Sequence, residues 1–209
     1  MMKKDKKIVI CAGGTGGHVF PSIALYEKLK KNYHFFFLTD RRCEYIFKDY
    51  DVNYNLLKVN YFNKNIFLWP KTLVQIIKSI IFCFKLFKKE KPKLVIGFGG
   101  YVSFPGIISA KILNISTIIH EQNAVMGKAN RILSIISNYI ALTFKETRFC
   151  SLNRKVVHTG LPIRNFFFTE HNKLTKKSKK QILILGGSQG AKVFSKIVPK
   201  IIRKLNSEL

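Results

Sequence analysis

The sequence predicts an α/β protein with one complete Rossmann-like domain and the first strand–helix unit of a second. Three observations predict it. Short apolar runs rich in β-branched residues alternate with helically spaced stretches, the pattern of a mainly parallel sheet. At each end of the chain such a run ends in a glycine loop that opens a helix, Gly13–Gly17 near the start and Gly186–Gly190 near the end. Hydrophobic residues make up 47% and charged residues 23%, enough apolar surface for a real core and too little charge for disorder over most of the length.

In chain order, Lys7–Ala12 reads as the first strand, and Val19–Lys31 as a helix with Ile23, Ala24, Leu25 and Leu29 on one side. His34–Thr39 and Val52–Val59 are further strands. A long helix is expected from Leu68 to Glu90. Lys93–Gly97 is a strand feeding a second glycine loop, Gly97–Gly100, with a helix over Ser103–Leu113. Ser116–His120 is a strand, Lys128–Ser137 a helix, and Tyr139–Thr143 and Val156–Thr159 strands. Residues 1–168 form the first domain. Thr169–Lys180 is polar and basic without periodicity and reads as a linker. Gln181–Leu185 (strand), the Gly186 loop and Ala191–Leu205 (helix) repeat the opening unit and begin a second domain over 181–209.

The 37 Lys and Arg against 11 Asp and Glu give a net charge of +26. That charge suits an anionic membrane surface or a nucleic acid. No zinc-finger, RNA-recognition or helix-turn-helix pattern accompanies it, so nucleic acid falls away. AT-rich codons, which spell Lys, Asn, Ile and Phe, explain part of the excess. The four cysteines are widely spaced and form no Cys-x-x-Cys pair, which argues against zinc and disulfide frameworks and for a reducing, cytoplasmic setting. The apolar run Ile8–Ala12 is too short for a signal peptide.

A glycine loop at a helix start is an anion site: the glycines bring backbone N–H groups close, and the helix dipole favours negative charge. Gly13–Gly17 has neither the Lys-Ser/Thr ending of a P-loop nor the Gly-x-Gly-x-x-Gly spacing. Asp40 follows the second strand, where a dinucleotide fold places its ribose acid, and this keeps a nicotinamide oxidoreductase open. His18 stands at the helix start, where the dipole disfavours imidazolium, so it suits a proton acceptor. In the long helix, Lys71, Lys78 and Lys85 recur at seven-residue steps and form one stripe, with Phe82 and Leu86 near it. These charges exclude a spanning helix and fit either an interfacial helix or a packing helix with a solvated stripe.

The motifs GGTGGHVFPSIAL (Gly13–Leu25), GFGGYVSFPG (Gly97–Gly106), HEQNAVMGKANR (His120–Arg131) and GGSQGA (Gly186–Ala191), in that order, resemble the MurG-type peptidoglycan glycosyltransferases. The resemblance implies a GT-B fold, two Rossmann-like domains across a cleft, with no metal and no cofactor. It implies transfer of N-acetylglucosamine from its UDP donor to lipid I, making lipid II, at the cytoplasmic face of the bacterial inner membrane, where the family docks peripherally through the region of the lysine-striped helix. By residue, His18 matches the general base. Thr15, Gly16 and Gly17 match the first loop, facing the substrates. Asn123 matches the residue contacting the sugar donor, a helix cap being its plain alternative. Arg164, in GLPIR, matches the arginine that could pair with the diphosphate. Leu161 departs there from the usual asparagine. Ser188 matches the second-domain diphosphate loop, a turn serine being its alternative. Glu121 reads as a brace for the loop. The family's uracil- and ribose-holding segments lie beyond this chain, so a gene fragment, a decayed copy that only binds membrane or a partner, and one half of an enzyme completed by a separate chain are all open.

Overall fold

The computed structural model describes residues 6–59, 67, 69–150, 155–165, 183–186 and 192–207. The chain divides into two compact units, Met1–Glu170 and His171–Leu209.

In the first unit, β1 (Lys7–Cys11), β2 (His34–Thr39), β3 (Tyr54–Leu56), β4 (Leu94–Gly97), β5 (Ser116–Glu121), β6 (Tyr139–Leu142) and β7 (Val156–His158) form a seven-stranded sheet ordered β3-β2-β1-β4-β5-β6-β7. Every pairing is parallel; Val9 lies opposite Phe36 of β2 and Val95 of β4. Parallel pairing requires crossovers, supplied between β1 and β6 by α1 (Gly16–Leu29), α2 (Glu44–Lys48), α3 (Trp69–Glu90), α4 (Gly100–Ile112) and α5 (Lys128–Ile136).

The strand pleat sends alternate residues into two cores. Ile8, Ile10 and Ala12 pack with Val19 and Ile23 of α1 and with Ile46 and Phe47 of α2. Val9 and Cys11 pack with Ile76, Cys83 and Phe87 of α3, Val102 and Ile107 of α4, and Leu133 of α5. Burial pushes the Cys83 thiol up to about 12, so it stays protonated as a packing group. The first of these faces is covered less completely. Beside α1, an apolar groove of about 430 Å³ runs over the sheet, lined among others by Leu25, Ile8, Leu94, Ile96, Ile118 and Ala141.

The elements follow the expected order, with instructive differences. Helix α1 begins at Gly16 rather than Val19, because Gly16 and Gly17 already belong to its first turn, and α4 begins at Gly100 rather than Ser103, directly from the glycine turn. The third strand is only Tyr54–Leu56, held by three partners in β2. Helix α2 is not signalled in the sequence. Its five residues are too few for a periodicity to emerge.

In the second unit, α6 (Lys192–Ser207) carries an apolar face that stays exposed at Val193, Phe194, Ile197, Ile201 and Ile202. Leu183–Leu185, expected within a strand, are in no regular element. A strand needs a neighbour for its hydrogen bonds, and these residues have no strand pairing among the described residues. The expected linker 169–180 and the glycine-loop residues 187–191 lie outside the described residues.

Candidate active site

In open parallel sheets the ligand crevice lies at the carboxyl ends of the strands, where the order reverses. Here the chain moves from β1 to β2 on one side and returns to β4 on the other, so that point lies between β1 and β4. Both glycine loops open there and touch: a Cβ on Gly100 would stand 2.9 Å from the Gly13 carbonyl oxygen. Gly99 and Gly100 adopt φ of 90° and 72°, a left-handed region that side chains disfavour.

His18 lies between the two loops. Its Nδ1 is 3.0 Å from the Gly13 carbonyl oxygen. A carbonyl only accepts, so Nδ1 carries the proton, and in the neutral ring Nε2 keeps a free lone pair. Nε2 lies 3.1 Å from where a Gly99 Cβ would be, in the space that glycine leaves open. Thr15 takes the N-cap position with extended backbone but makes no capping bond, and its Oγ1 is 3.5 Å from His18 Nδ1. The N–H groups of Gly16 and Gly17 therefore have no acceptor among the described residues and remain open to an anion.

The far side of the crevice is built on Glu121, 1% exposed at the end of β5. Its Oε1 accepts from the Asn123 backbone N–H at 3.0 Å and from Asn123 Nδ2 at 2.9 Å. Its Oε2 accepts from the Gly127 N–H and from Asn130 Nδ2, both at 2.9 Å. Glu121 is thus the brace that the sequence suggested. Asn123 does not cap the following helix; Gly127 holds that position. Asn130, which sequence reasoning passed over, links the two sides, because its Nδ2 and the His18 ring border the same Gly99 Cβ position, at 3.5 and 3.1 Å. His120 turns inward: it stacks on Phe98 and its Nε2 donates to the Gly160 carbonyl at 3.1 Å. Burial holds its imidazole below the ordinary value, against the Gly160 bond and the Glu121 charge.

Arg164 arrives from beyond β7. Its Nη1 is 3.0 Å from the Tyr50 hydroxyl, and its guanidinium lies over the Phe20 ring at 4.3 Å, two residues past His18. Asp40, the ribose acid of the nicotinamide alternative, is instead paired with Arg42 at 2.6 Å. Ser188 lies outside the described residues.

Residues 8–142 match the model of the glycosyltransferase family 28 N-terminal domain. The chain belongs to glycosyltransferase family 28. A Rickettsia bellii relative is 39% identical over 209 residues, covering 96% of this chain and 57% of that protein. A Histophilus somni relative is 35% identical, covering 100% and 59%. Both are named UDP-N-acetylglucosamine–N-acetylmuramyl-(pentapeptide) pyrophosphoryl-undecaprenol N-acetylglucosamine transferase. Among solved structures, Acinetobacter baumannii MurG superposes with a TM-score of 0.64 at 29% identity, over 76% of this chain and 46% of that one. Staphylococcus aureus MnaA, solved with UDP, shares the fold at TM-score 0.58 and 16% identity, over 75% of this chain and 44% of that one. The first unit is thus the N-terminal Rossmann-like half of a GT-B architecture, and the chain spans under two thirds of the length of these relatives.

On the family 28 domain, Lys71, Lys78 and Lys85 are exposed along α3, and Phe82 is 42% exposed. Leu86 differs from the expectation that it flanks this stripe at the surface. It follows buried Cys83 by three residues and precedes buried Phe87, so it is partly buried against the core. The exposed apolar residues beside the lysines are instead Leu73, Val74, Ile77 and Ile81, with Phe82. No described helix is long and apolar enough to cross a membrane.

Proposed function

We propose that this chain supplies the acceptor-side half of an inverting glycosyltransferase that moves N-acetylglucosamine from UDP-N-acetylglucosamine to lipid I, giving lipid II. The observation that carries this reading is the His18 tautomer between the two glycine loops, in a chain whose relatives bear that activity in their names. Nε2 takes the proton of the acceptor 4-hydroxyl. The oxygen forms the new bond to the anomeric carbon, and the bond to the diphosphate breaks with its electron pair leaving on UDP. The N–H groups of Gly16 and Gly17, with Thr15 beside them, and the Arg164 cation offset the charge that develops on the leaving group. Asn123, held by Glu121, meets the donor sugar, and the family resemblance assigns Ser188 to the donor diphosphate. No metal or cofactor enters these steps.

The setting is peripheral, on the cytoplasmic face of the inner membrane. Lys71, Lys78 and Lys85 meet anionic headgroups while Phe82 and its exposed apolar neighbours enter the interface. The partner is the protein segment, in continuation or as a separate chain, that completes the donor domain.

The test is transfer of labelled N-acetylglucosamine to a lipid I analogue, by this chain alone and joined to the remaining length of the Rickettsia bellii relative. Transfer by the joined protein supports the reading; binding to vesicles with no transfer in either form reduces the chain to a membrane-binding remnant. Replacing the three lysines by glutamine should lower the affinity for anionic vesicles by about 1 kcal/mol per lysine. Unchanged binding would make α3 a packing helix only.

A further inference from the structure

Asp40 ends β2 beside the first glycine loop and is 4% exposed. Its Oδ2 accepts from Arg42 Nε at 3.2 Å and Nη2 at 2.6 Å, and its Oδ1 accepts from the Arg42 backbone N–H at 3.1 Å. A buried carboxylate thus fixes a guanidinium that is itself 48% exposed. Arg42 Nη2 lies 3.4 Å from where a Gly14 Cβ would stand, and His18 Nδ1 lies 3.9 Å from the same point. A fixed cation and the base therefore border one glycine. Arg42 Nη1 has no acceptor among the described residues.

From Arg42 a pocket of about 460 Å³ runs between the end of β3 and α3, lined by Arg41, Lys58, Leu57 and Gln75. Among the described residues, Asp40 is its one acidic lining residue and is spent on Arg42, and Arg41 and Lys58 hold no ion pair. Gln75 Oε1 is buried without a partner. Past Gln75, Lys58 also borders a second pocket with Lys78 and Phe82 of the exposed α3 face.

We propose that the Arg41–Arg42–Lys58 pocket binds the diphosphate of the lipid-linked acceptor, an inference that rests on the transfer reading above. The relatives' name places a pyrophosphoryl group between the muramyl sugar and the lipid. The protein has the same order: His18 where the sugar hydroxyl reacts, this pocket, then the α3 face where the lipid lies. A planar guanidinium whose Nη1 has no acceptor among the described residues, flanked by Arg41 and Lys58, matches a diphosphate's spread of oxygens. The acceptor's other anion, the peptide carboxylate, hangs from the sugar and not along the path to the lipid.

The experiment titrates the 209-residue chain with inorganic pyrophosphate and, separately, with the free pentapeptide, followed by amide NMR and calorimetry. Pyrophosphate should move the amides of Gly14, Arg42 and Lys58, and Lys58→Gln should weaken it by about threefold to tenfold. Arg42→Gln alone strands a buried carboxylate and can unfold the chain, so the double variant Asp40→Asn with Arg42→Gln replaces the pair by neutral isosteres and should weaken binding by about tenfold or more. Pyrophosphate affinity equal to the parent's in both Lys58→Gln and the double variant overturns the site. Shifts at these amides from pentapeptide and none from pyrophosphate overturn the choice of ligand. In the joined enzyme, transfer with an unchanged acceptor KM in both variants defeats this assignment while the function stands. Pyrophosphate bound here without any transfer defeats the function while the anion site stands.

Discussion

Lys7–Cys11 and Leu183–Leu185 are both apolar runs feeding a glycine loop and then a helix. In the first, Val9, Ile10 and Cys11 are fully buried between β2 and β4, and α1 closes over one side. In the second, Leu183 and Leu185 are 79% and 74% exposed and no strand among the described residues pairs with them, while α6 keeps its helical form with Val193, Ile197 and Ile201 exposed. Helical hydrogen bonds are internal to the segment, whereas a strand's are made with neighbours. The same local pattern therefore yields a paired strand only where neighbouring strands receive it, whereas the helix forms in both places.

The largest expected effect sharpens this contrast at the level of chemistry. If the first loop carries the reaction through its own side chain, His18→Ala in the joined enzyme should lower turnover by ~10²–10⁴ with little change in donor affinity. Steady-state rates with a lipid I analogue check this. Unchanged turnover would remove His18 as the base.

Packing separates the two regions next. A Cβ on Gly106 of α4 would meet the sulfur of buried Cys11. Gly106→Ala should cost ~1–3 kcal/mol in urea unfolding, because a packed core cannot yield the space. The nearest atom to a Cβ on Gly186 is Phe194 Cδ2 at 3.5 Å, an ordinary contact, so Gly186→Ala should stay within about 0.5 kcal/mol. Equal costs would mean that the second unit is packed as the first is.

A smaller effect comes from acid. His120 is held below its ordinary value in the fold, while the unfolded imidazole titrates near ~6.5. Below that pH the unfolded chain takes up a proton that the folded chain refuses. Its contribution to stability is complete above about pH 6.5 and is lost as pH falls toward the folded value, by at most about 1.4 kcal/mol per pH unit. Urea unfolding of the parent and of His120→Asn at pH 8 and pH 5.5 checks this. The parent should lose more stability than the variant, and equal losses would show that the buried ring does not control it.

These contrasts also explain what could be read in advance. His34–Thr39 matches its strand end to end, and the long helix is right within a residue at its start, because periodicity and burial act along the chain. The Gly-rich loops and His18 were legible for the same reason: strand, loop and helix are contiguous. Asp40 was noticed for a ribose, but its bond to Arg42 depends on a carboxylate buried against Gly13, which only the folded sheet creates. Arg164 meets Tyr50 across 114 positions of sequence, a pairing no local pattern records. Asn130 is one buried amide on α5, and its use as a link depends on the Glu121 hub. Leu86 was placed near the lysines by its position next to Lys85, but one residue turns a helix by about 100°, which sets it between that stripe and buried Cys83 and Phe87, and it is partly buried.

The apolar groove beside α1 bears on how copies of this molecule behave toward one another. The partly buried Leu25, Leu94, Ile118 and Ala141 of that groove would draw two copies together at contact distance. A charge of +26 on 209 residues opposes that approach at longer range, as it does for colloidal particles. The Debye length is about 10 Å at 0.1 M salt and about 3 Å at 1 M, so the repulsion fades with salt while the apolar attraction does not. The lysine excess thus acts as a dispersant, and light scattering should show self-association growing as sodium chloride is raised.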